Sequence, residues 1–211
     1  MTEYNVPYQD AESEFTEKRS RFITHLYKVE TEAEARARIE EMKKKYYDAR
    51  HNCWCYLLQE GGVVRYSDDG EPQGTAGQPM LNVFQRQEVW NVCCVVTRYF
   101  GGVLLGANGL VRAYSHSTAL AIENAQVKVM LPCYPVSIQT DYALYGKIAY
   151  HLPQEDILQL DTIFEDQVEL KLLVRDSLWE PLKKELIDLT SGQVEIVSGG
   201  LQYADFSKVK K

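Results

Sequence analysis

The 211-residue sequence lacks any uninterrupted run of about 20 apolar residues, the length that a membrane-spanning helix needs. Its first residues, MTEYNVPYQDAESEF, are polar and acidic and lack the features of a signal peptide or a transit peptide. It also lacks an excess of positive charge, because 23 lysine and arginine residues stand against 30 aspartate and glutamate residues, a net charge of −7. We therefore expect a cytoplasmic protein without a membrane partner, which does not coat nucleic acid through its overall charge.

The cysteines lack the spacing of a metal site or a disulfide framework. Their number, five, is odd, and they form neither a C-x-x-C pair nor a zinc-ribbon pattern. Most of them have apolar neighbours, as in WCYLL and VCCVV. We expect free thiols buried in the core of a protein from a reducing compartment. They are Cys53, Cys55, Cys93, Cys94 and Cys133.

The first part of the chain is patterned as alternating strands and helices, after an arm at residues 1–17 that we expect to be mobile or loosely docked. Thr31 and Glu34 form a capping box that opens the first helix. The run NVCCVVT at 91–97 is almost entirely apolar, which predicts a central strand buried on both faces. The other predicted strands are 21–29, 52–59 and 63–67, and the other predicted helices begin near residues 79 and 110.

A domain boundary is predicted near Pro132 and Pro135, where the composition changes. It gives an amino-terminal domain, 1–130, and a carboxy-terminal domain, 131–211. The second domain is patterned as β-α-β-β-α-β, the ferredoxin-like arrangement, and a second capping box at Ser177 and Glu180 is expected to open its last helix. The fold class is therefore α+β with two domains. The first domain has a net charge of −2 and the second a net charge of −5, so most of the acidity lies outside the first domain.

Two polar, glycine-rich loops follow predicted strands, DDGEPQGTAGQP from Asp68 and RYFGGVLLGANG from Arg98. Glycine allows left-handed backbone and the close approach of a partner, and loops at strand ends often carry sites. The second loop runs into a helix amino terminus, where free amides attract anions, and Arg98 and Arg112 add positive charge. We expect a surface for a phosphate or another anion, unless the glycines serve only as tight connections. The candidate binding residues are His51, Asp68, Asp69, Gly70, Glu71, Gly74, Thr75, Gly77, Arg98, Tyr99, Phe100, Gly101, Gly102, Gly106, Asn108 and Arg112.

A small hydrolase is the alternative. Neither loop has the spacing of a P-loop or of a dinucleotide-binding fingerprint, which argues against a nucleotide-dependent enzyme. Asp68, Asp69 and Glu71 lie close together in the sequence, and His51 lies one predicted strand pair upstream. These side chains suit general acid–base catalysis or a divalent cation, but Asp-Asp-Gly is also an ordinary turn sequence. The candidate nucleophiles beside the histidine are Cys53 and Cys55.

Basic and aromatic residues also fit single-stranded RNA. Lys18 and Arg19 precede the first predicted strand and Arg21 begins it, three lysines at 43–45 close the first helix, and the chain has 14 tyrosines. The lysines equally suit the negative end of the helix dipole, and most of the tyrosines fall at apolar positions of the pattern.

Three segments together resemble a known family. They are HNC at 51–53, SDDGEPQGTAGQPML at 67–81 and VVTRYFGGVLLGANGLVRAYS at 95–115. In this order they resemble the signature of the IMPACT family, in particular its bacterial, YigZ-like branch, and the rest of the chain is similar to the carboxy-terminal domain of that branch. Asn108 stands where the family usually has glycine, and asparagine tolerates left-handed backbone better than most residues. Trp54-Cys55 and Phe84 are further departures from the usual pattern.

The resemblance implies both a fold and a role. The first domain is expected to be an α/β sandwich like domain 2 of a small-subunit ribosomal protein and domain IV of elongation factor G, and the second to resemble domain V of that factor. Eukaryotic members restrain the amino-acid-starvation kinase pathway by competing for its ribosome-associated activator, and they are not known as enzymes. We therefore expect a non-enzymatic, translation-associated regulator of a stress response that binds RNA, the ribosome or a ribosome-associated protein. No cofactor, metal or DNA-specific motif is expected.

Overall fold

The structure, a computed structural model, describes residues 3–152 and 156–206. The chain divides into two units, Tyr4–Lys128 and the segment that begins at Val129. Each unit combines helices with an antiparallel sheet, so the predicted α+β class is confirmed. Within the described ranges no helix has both the length and the apolar character needed to cross a membrane.

The first unit is built on a five-stranded antiparallel sheet of order β2-β3-β6-β4-β5. Its central strand is the apolar run that the sequence predicted to be buried on both faces. The elements in chain order are β1 (Tyr4–Pro7), β2 (Ala11–Glu17), β3 (Ser20–Lys28), α1 (Glu32–Lys45), β4 (His51–Leu58), β5 (Val63–Ser67), α2 (Gly77–Arg86), β6 (Val92–Tyr99) and α3 (Ala107–Ala125).

The two faces of β6 pack into different clusters because successive side chains of a strand point to opposite sides. Cys94 and Val96 pack with residues of α2 and α3. Cys93 and Val95 pack with residues of α1. The strand therefore lies between two helical layers, and every residue from Val92 to Arg98 is buried.

Helix α1 begins as the sequence predicts. The Oγ1 atom of Thr31 accepts a hydrogen bond from the backbone N–H of Glu34 at 3.2 Å. The carboxylate of Glu34 in turn accepts from the backbone N–H of Glu30 at 2.7 Å. This cap satisfies amides that the first helical turn leaves without partners.

The expectation of a loosely docked arm at residues 1–17 is wrong. Strand β2 pairs with β3 from Ala11, opposite Leu26, to Glu17, opposite Ser20. The ring of Phe15 stacks on Phe22 with their centroids 5.0 Å apart. The strand escaped prediction because its outward-facing residues are mostly acidic, which hides the alternation of its inward-facing residues.

The second unit contains the predicted order β-α-β-β-α-β and one additional strand. Its strands lie in the order β10-β7-β9-β8, all antiparallel, and β11 pairs with the early part of β7. The elements are β7 (Val127–Thr140), α4 (Tyr142–His151), β8 (Ile157–Phe164), β9 (Val168–Arg175), α5 (Asp176–Leu189), β10 (Glu195–Ser198) and β11 (Gln202–Asp205).

The second predicted capping box is wrong. Helix α5 begins at Asp176, so Ser177 lies inside the helix, and the Arg175 side chain forms no capping hydrogen bond with a described residue. The other helix of this unit, α4, does have a side-chain cap: Oδ1 of Asp141 accepts from the backbone N–H of Leu144 at 2.7 Å. Helix α2 begins at Gly77, two residues before the predicted start. The residue predicted to stop α4, Pro153, lies outside the described residues.

The core of the second unit predicts a clear contrast between two substitutions in α4. Ile148 is fully buried among apolar side chains, whereas Tyr150 is 87% exposed. Ile148→Ala is expected to lower the free energy of unfolding by about 2–5 kcal/mol because it leaves a cavity. Tyr150→Ala is expected to change it by less than about 0.5 kcal/mol. Urea denaturation followed by circular dichroism measures both, and equal losses would contradict the core assignment.

Candidate functional site

The two glycine loops lie next to each other because the strands that carry them are neighbours in the sheet. His51, the first residue of β4, is the cross-strand partner of Arg98 near the end of β6. The first loop follows β5 and returns to His51, whose Nδ1 lies 3.3 Å from an ideal Cβ built on Gly70. The sheet register thus brings together segments that are far apart in the sequence.

Between the loops lies a cleft of about 430 Å³, which we name the first cleft. It is lined by predicted site residues from both loops and by residues that the sequence did not single out. The predicted ones are His51, Gly70, Glu71, Arg98, Phe100 and Gly106. The additional ones are Arg50, Pro72, Leu104, Leu105, Ala107 and Leu110.

The floor of the first cleft is a buried ion pair. Nη1 of Arg98 donates to Oε1 of Glu71 at 2.8 Å, and the two residues are 5% and 8% exposed. The hydroxyl of Tyr114 donates to the same oxygen at 2.8 Å. Burial, with help from the nearby Cys53 and Glu71, raises the pKa of Tyr114 well above its usual value, so this hydroxyl stays protonated. A buried charge of this kind is tolerated because it is paired and hydrogen-bonded.

The guanidinium of Arg98 is held by further contacts. Its Nη2 donates to Oγ of Ser20 at 3.3 Å, and the same Oγ accepts from the backbone N–H of Gly101 at 3.3 Å. The guanidinium carbon lies 5.6 Å from the ring centroids of both Phe22 and Phe100. These contacts hold the guanidinium of Arg98 in a fixed position at the floor of the first cleft.

The imidazole of His51 is oriented by the first loop. Its Nδ1 lies 2.9 Å from the carbonyl oxygen of Asp69, and since a carbonyl can only accept, Nδ1 is the donor. Its Nε2 faces Oε2 of Glu71 at 4.0 Å, beyond hydrogen-bond distance. The histidine therefore lines the cleft without a direct hydrogen bond to the carboxylate.

Asp68 and Asp69, two of the carboxylates considered for catalysis, hold the first loop in place. Asp68 accepts from the backbone N–H groups of Gly74, Ala76 and Gly77 at 2.8, 3.0 and 2.8 Å. Asp69 accepts from the backbone N–H of Asn52 at 2.7 Å. In the part of the chain that the structure describes, no group of three or more His, Cys, Asp or Glu side chains is arranged to hold a metal ion.

The remaining predicted residues of the first loop also shape its backbone. The hydroxyl of Thr75 donates to the carbonyl of Pro72 at 2.6 Å, and Thr75 is buried. Gly74 has a φ of 76°, a left-handed conformation that favours glycine. A Cβ on Gly77 would lie 2.8 Å from the carbonyl oxygen of Ser67.

In the second loop, the glycines serve two different purposes. Gly101 lies so close to the β2–β3 turn that a Cβ would come within 2.0 Å of the backbone carbonyl of Arg19. Gly102 and Gly106 have φ angles of 84° and 72°. They allow the chain to turn from β6 into α3, where Asn108 lies exposed in the first turn. Tyr99 donates its hydroxyl to Asp48 at 2.7 Å.

The structure places Arg112 in a separate, neighbouring cleft of about 270 Å³, which we name the second cleft. The two clefts share Leu105 as a lining residue. The sequence pointed to Arg112 and Lys18 but gave no signal that they converge, since that depends on the β2–β3 pairing. The lining residues are Phe15, Glu17, Lys18, Leu105, Gly109, Arg112, Ala113 and His116.

The cysteine nucleophile of the alternative hypothesis is disfavoured by its surroundings. The Sγ of Cys53 lies 3.0 Å from the carbonyl oxygen of Asp68, which can only accept its proton, and 3.3 Å from the hydroxyl of Tyr114. Burial raises the pKa of Cys53 far above its usual value and raises the pKa of Cys55 as well. Since the thiolate is the reactive form, both residues are poor nucleophiles at neutral pH.

Breaking the buried ion pair is expected to destabilise the protein strongly. Glu71→Gln leaves the charge of Arg98 buried without its counter-charge, which costs about 3–5 kcal/mol of unfolding free energy. Glu14→Gln is the matched control because it removes one carboxylate from the exposed pair that Glu14 forms with Arg21 at 2.6 Å. The control is expected to cost much less. Chemical denaturation compares the two, and a loss for Glu71→Gln no larger than that of the control would contradict the assigned role.

The cysteines, all in the described part of the chain, are free and buried, as the sequence predicted. Burial raises the pKa of every one of them, that of Cys93 to about 12. The native protein is therefore expected to react slowly with a thiol reagent at mildly alkaline pH and to expose all its thiols in guanidinium chloride. A thiol that reacts rapidly in the native protein at neutral pH would restore the nucleophile hypothesis.

Comparison with known proteins gives two matches along the chain. Residues 18–122 match the Impact N-terminal domain, a range that includes both glycine loops and most of the residues that line the two clefts. Residues 138–193 match a domain of unknown function.

Similar proteins extend over most of the chain. IMPACT family member YvyE of Bacillus subtilis is 36% identical over 203 residues, covering 96% of this chain and 94% of that protein. IMPACT family member YigZ of Escherichia coli is 30% identical over 184 residues, covering 86% and 90%. A crystal structure of a hypothetical protein, 28% identical, aligns over 95% of this chain and 98% of that chain with a TM-score of 0.60.

A eukaryotic relative matches about half of the chain. The Protein IMPACT homolog of Dictyostelium discoideum is 39% identical over 106 residues, which are 48% of this chain and 29% of that protein. The resemblance inferred from the loop sequences is confirmed by these matches together: the chain belongs to the IMPACT family.

Proposed function

We propose that this protein is a non-enzymatic, translation-associated binding protein whose first cleft binds single-stranded RNA. The observation that carries the proposal is the composition of that cleft. Arg98 is fixed at its floor, Arg50 and His51 lie at its edge, and Phe100 is 45% exposed beside them. Cations that follow a phosphate backbone, combined with an aromatic ring on which a base can stack, are the usual means of binding single strands.

The aromatic and cationic groups lie at distances that suit a nucleotide. The ring centroid of Phe100 is 5.6 Å from the guanidinium carbon of Arg98, so the fixed arginine supports the ring on which a base would stack. Leu104, which is 81% exposed, extends the apolar rim. Since Glu71 balances the charge of Arg98, the positive charge at this site that no described residue pairs with comes from Arg50.

The charge distribution is compatible with this assignment. The first cleft lies in residues 1–130, which have a net charge of −2, whereas residues 131–211 have a net charge of −5. A local cationic site on a nearly neutral unit is expected to bind RNA with a strong dependence on salt.

The fold and the family relation support the proposal that this activity belongs to translation. For the second unit we propose a ferredoxin-like domain similar to domain V of elongation factor G, supported by the strand order β10-β7-β9-β8. For the first unit we propose the ribosomal-protein type of α/β sandwich, and for the domain boundary the region near residue 130. The role of eukaryotic IMPACT proteins in restraining a starvation pathway supports regulation of translation under stress.

The alternative, a small hydrolase, has less support. A general base needs a carboxylate or histidine free to accept a proton. Asp68 and Asp69 accept backbone N–H groups and Glu71 is paired with Arg98, so of the proposed catalytic groups only Nε2 of His51 is free in the described part of the chain, and none of these carboxylates is within hydrogen-bond distance of it. An ion pair and loop-forming carboxylates explain the same acidic cluster without catalysis.

RNA binding is tested by fluorescence anisotropy with a labelled oligouridylate over a series of salt concentrations. Phe100→Ala is expected to weaken binding about tenfold through the loss of stacking. Arg50→Ala is expected to weaken binding and to reduce the salt slope by about one. Arg86→Ala, an exposed arginine at the end of α2, is the matched control and is expected to bind like the wild-type protein.

The outcomes separate RNA from the other candidates. Absence of wild-type binding at low salt, or equal losses for Arg50→Ala and Arg86→Ala, would overturn the proposal. Turnover of a hydrolase substrate panel that is lost in Asp68→Asn would favour the enzyme instead. Thermal unfolding of each variant verifies that the affinity changes do not reflect loss of structure.

A further inference from the structure

We infer that the second cleft is a second contact site for the same RNA strand, so that the bound RNA extends across both clefts. This inference rests on the proposed function of the first cleft. It assigns a role to Lys18, Arg112 and His116, which line the second cleft and take no part in the first.

The second cleft is formed where the β2–β3 turn meets one face of α3. Gly109, Arg112, Ala113 and His116 follow the i, i+3, i+4, i+7 spacing of a single helix face. The opposite wall is the turn at Lys18 and Arg19, which have φ angles of 46° and 67°. This tight, left-handed turn brings the exposed Lys18 to the same side as Arg112.

The wall between the clefts depends on a close contact at Gly109. An ideal Cβ on this glycine would lie 2.9 Å from the Cβ of Leu105. Because Gly109 has no side chain, Leu105 packs tightly against α3 and lines both clefts. Leu105 therefore separates the first cleft from the second, and the two clefts are neighbours.

The charges of the second cleft suit an anionic ligand. Lys18 and Arg112 are both exposed, and neither forms an ion pair with a described residue. Glu17 is the one acidic residue among the lining side chains. Unlike Arg98, whose charge is balanced by Glu71, these two cations remain available to a phosphate group.

The second cleft also repeats the aromatic feature of the first. The rings of Phe15 and His116 meet edge to face, with centroids 5.0 Å apart and planes at 85°. Phe15 stacks on Phe22 at 5.0 Å, and Phe22 in turn lies 5.6 Å from the guanidinium carbon of Arg98. Phe22, which is fully buried and lines neither cleft, thus connects the ring of Phe15 in the second cleft to Arg98 in the first.

Two neighbouring sites, each combining an aromatic ring with a cation, favour RNA over an acidic peptide. Stacking on aromatic rings is available to every base and is independent of sequence, whereas an acidic peptide needs the cations alone. The flexible backbone of a single strand allows one base to lie on each side of Leu105, with its phosphates facing Arg50 in one cleft and Arg112 in the other.

The test compares a labelled mononucleotide, which is too short to span both clefts, with a longer oligouridylate on the full-length protein and its variants. Arg50→Ala is expected to weaken binding of both ligands. Lys18→Ala and Arg112→Ala are expected to weaken binding of the longer ligand about fivefold each and to lower its salt slope by about one. Their effect on the mononucleotide is expected to be smaller, because that ligand cannot contact both clefts at once. Arg86→Ala serves as the control for loss of a positive charge at an exposed position.

The results distinguish failure of this inference from failure of the proposed function. If the wild-type protein binds neither ligand, the proposed function fails and the inference fails with it. If the wild-type protein binds the longer ligand and both Lys18→Ala and Arg112→Ala bind it equally well, only the inference is overturned. Competition by polyglutamate as effective as that by unlabelled oligouridylate would reassign the second cleft to an acidic protein segment.

Discussion

The ion pair between Arg98 and Glu71 is the interaction on which the arrangement of the site depends. It joins the central strand β6 to the first loop, and the Tyr114 hydroxyl joins both to α3. Ser20 connects the same arginine to the β2–β3 turn and to the second loop. A charge buried at this depth is stable only while all of its partners are in place. The pair therefore fixes the relative positions of the two glycine loops, and with them the shape of the first cleft.

The sequence predicted the parts of this arrangement that depend on local patterns. An apolar run such as NVCCVVT can bury all of its side chains only between two helical layers. Strand β6 lies between α1 on one side and α2 with α3 on the other. The capping box at Thr31 depends on four consecutive residues and is confirmed by the hydrogen bond to Glu34. The glycine loops stand out because few other residues adopt left-handed backbone. The family could be inferred from the sequence because its signature lies largely in these loops.

Pairings between distant residues were not accessible from local patterns. The acidic composition of residues 11–17 hid a strand whose position depends on pairing with β3. At Ser177 the capping motif is present, yet α5 begins one residue earlier, because the chain leaving β9 sets the start of the helix. Asp68 looked like a catalytic carboxylate in the sequence, and only the folded loop shows that it accepts three backbone amides. Spacing identifies which residues are near a site, whereas the register of the sheet decides what they contact.

The distinction between paired and unpaired charges explains why the net charge of −7 says little about the site. Arg98 is the most buried cation of the first cleft, but Glu71 balances its charge, so its main effect is to hold the loops and orient Phe100. Arg50 and Lys18 belong to no motif, and Arg112 lies near the end of the signature segment 95–115. All three are exposed cations at the edges of the two clefts. An anion gains the most binding free energy from a cation that no other group neutralises, provided that a rigid surface holds the cation in place. In this protein the buried pair supplies that rigidity, and the exposed cations around it supply the attraction.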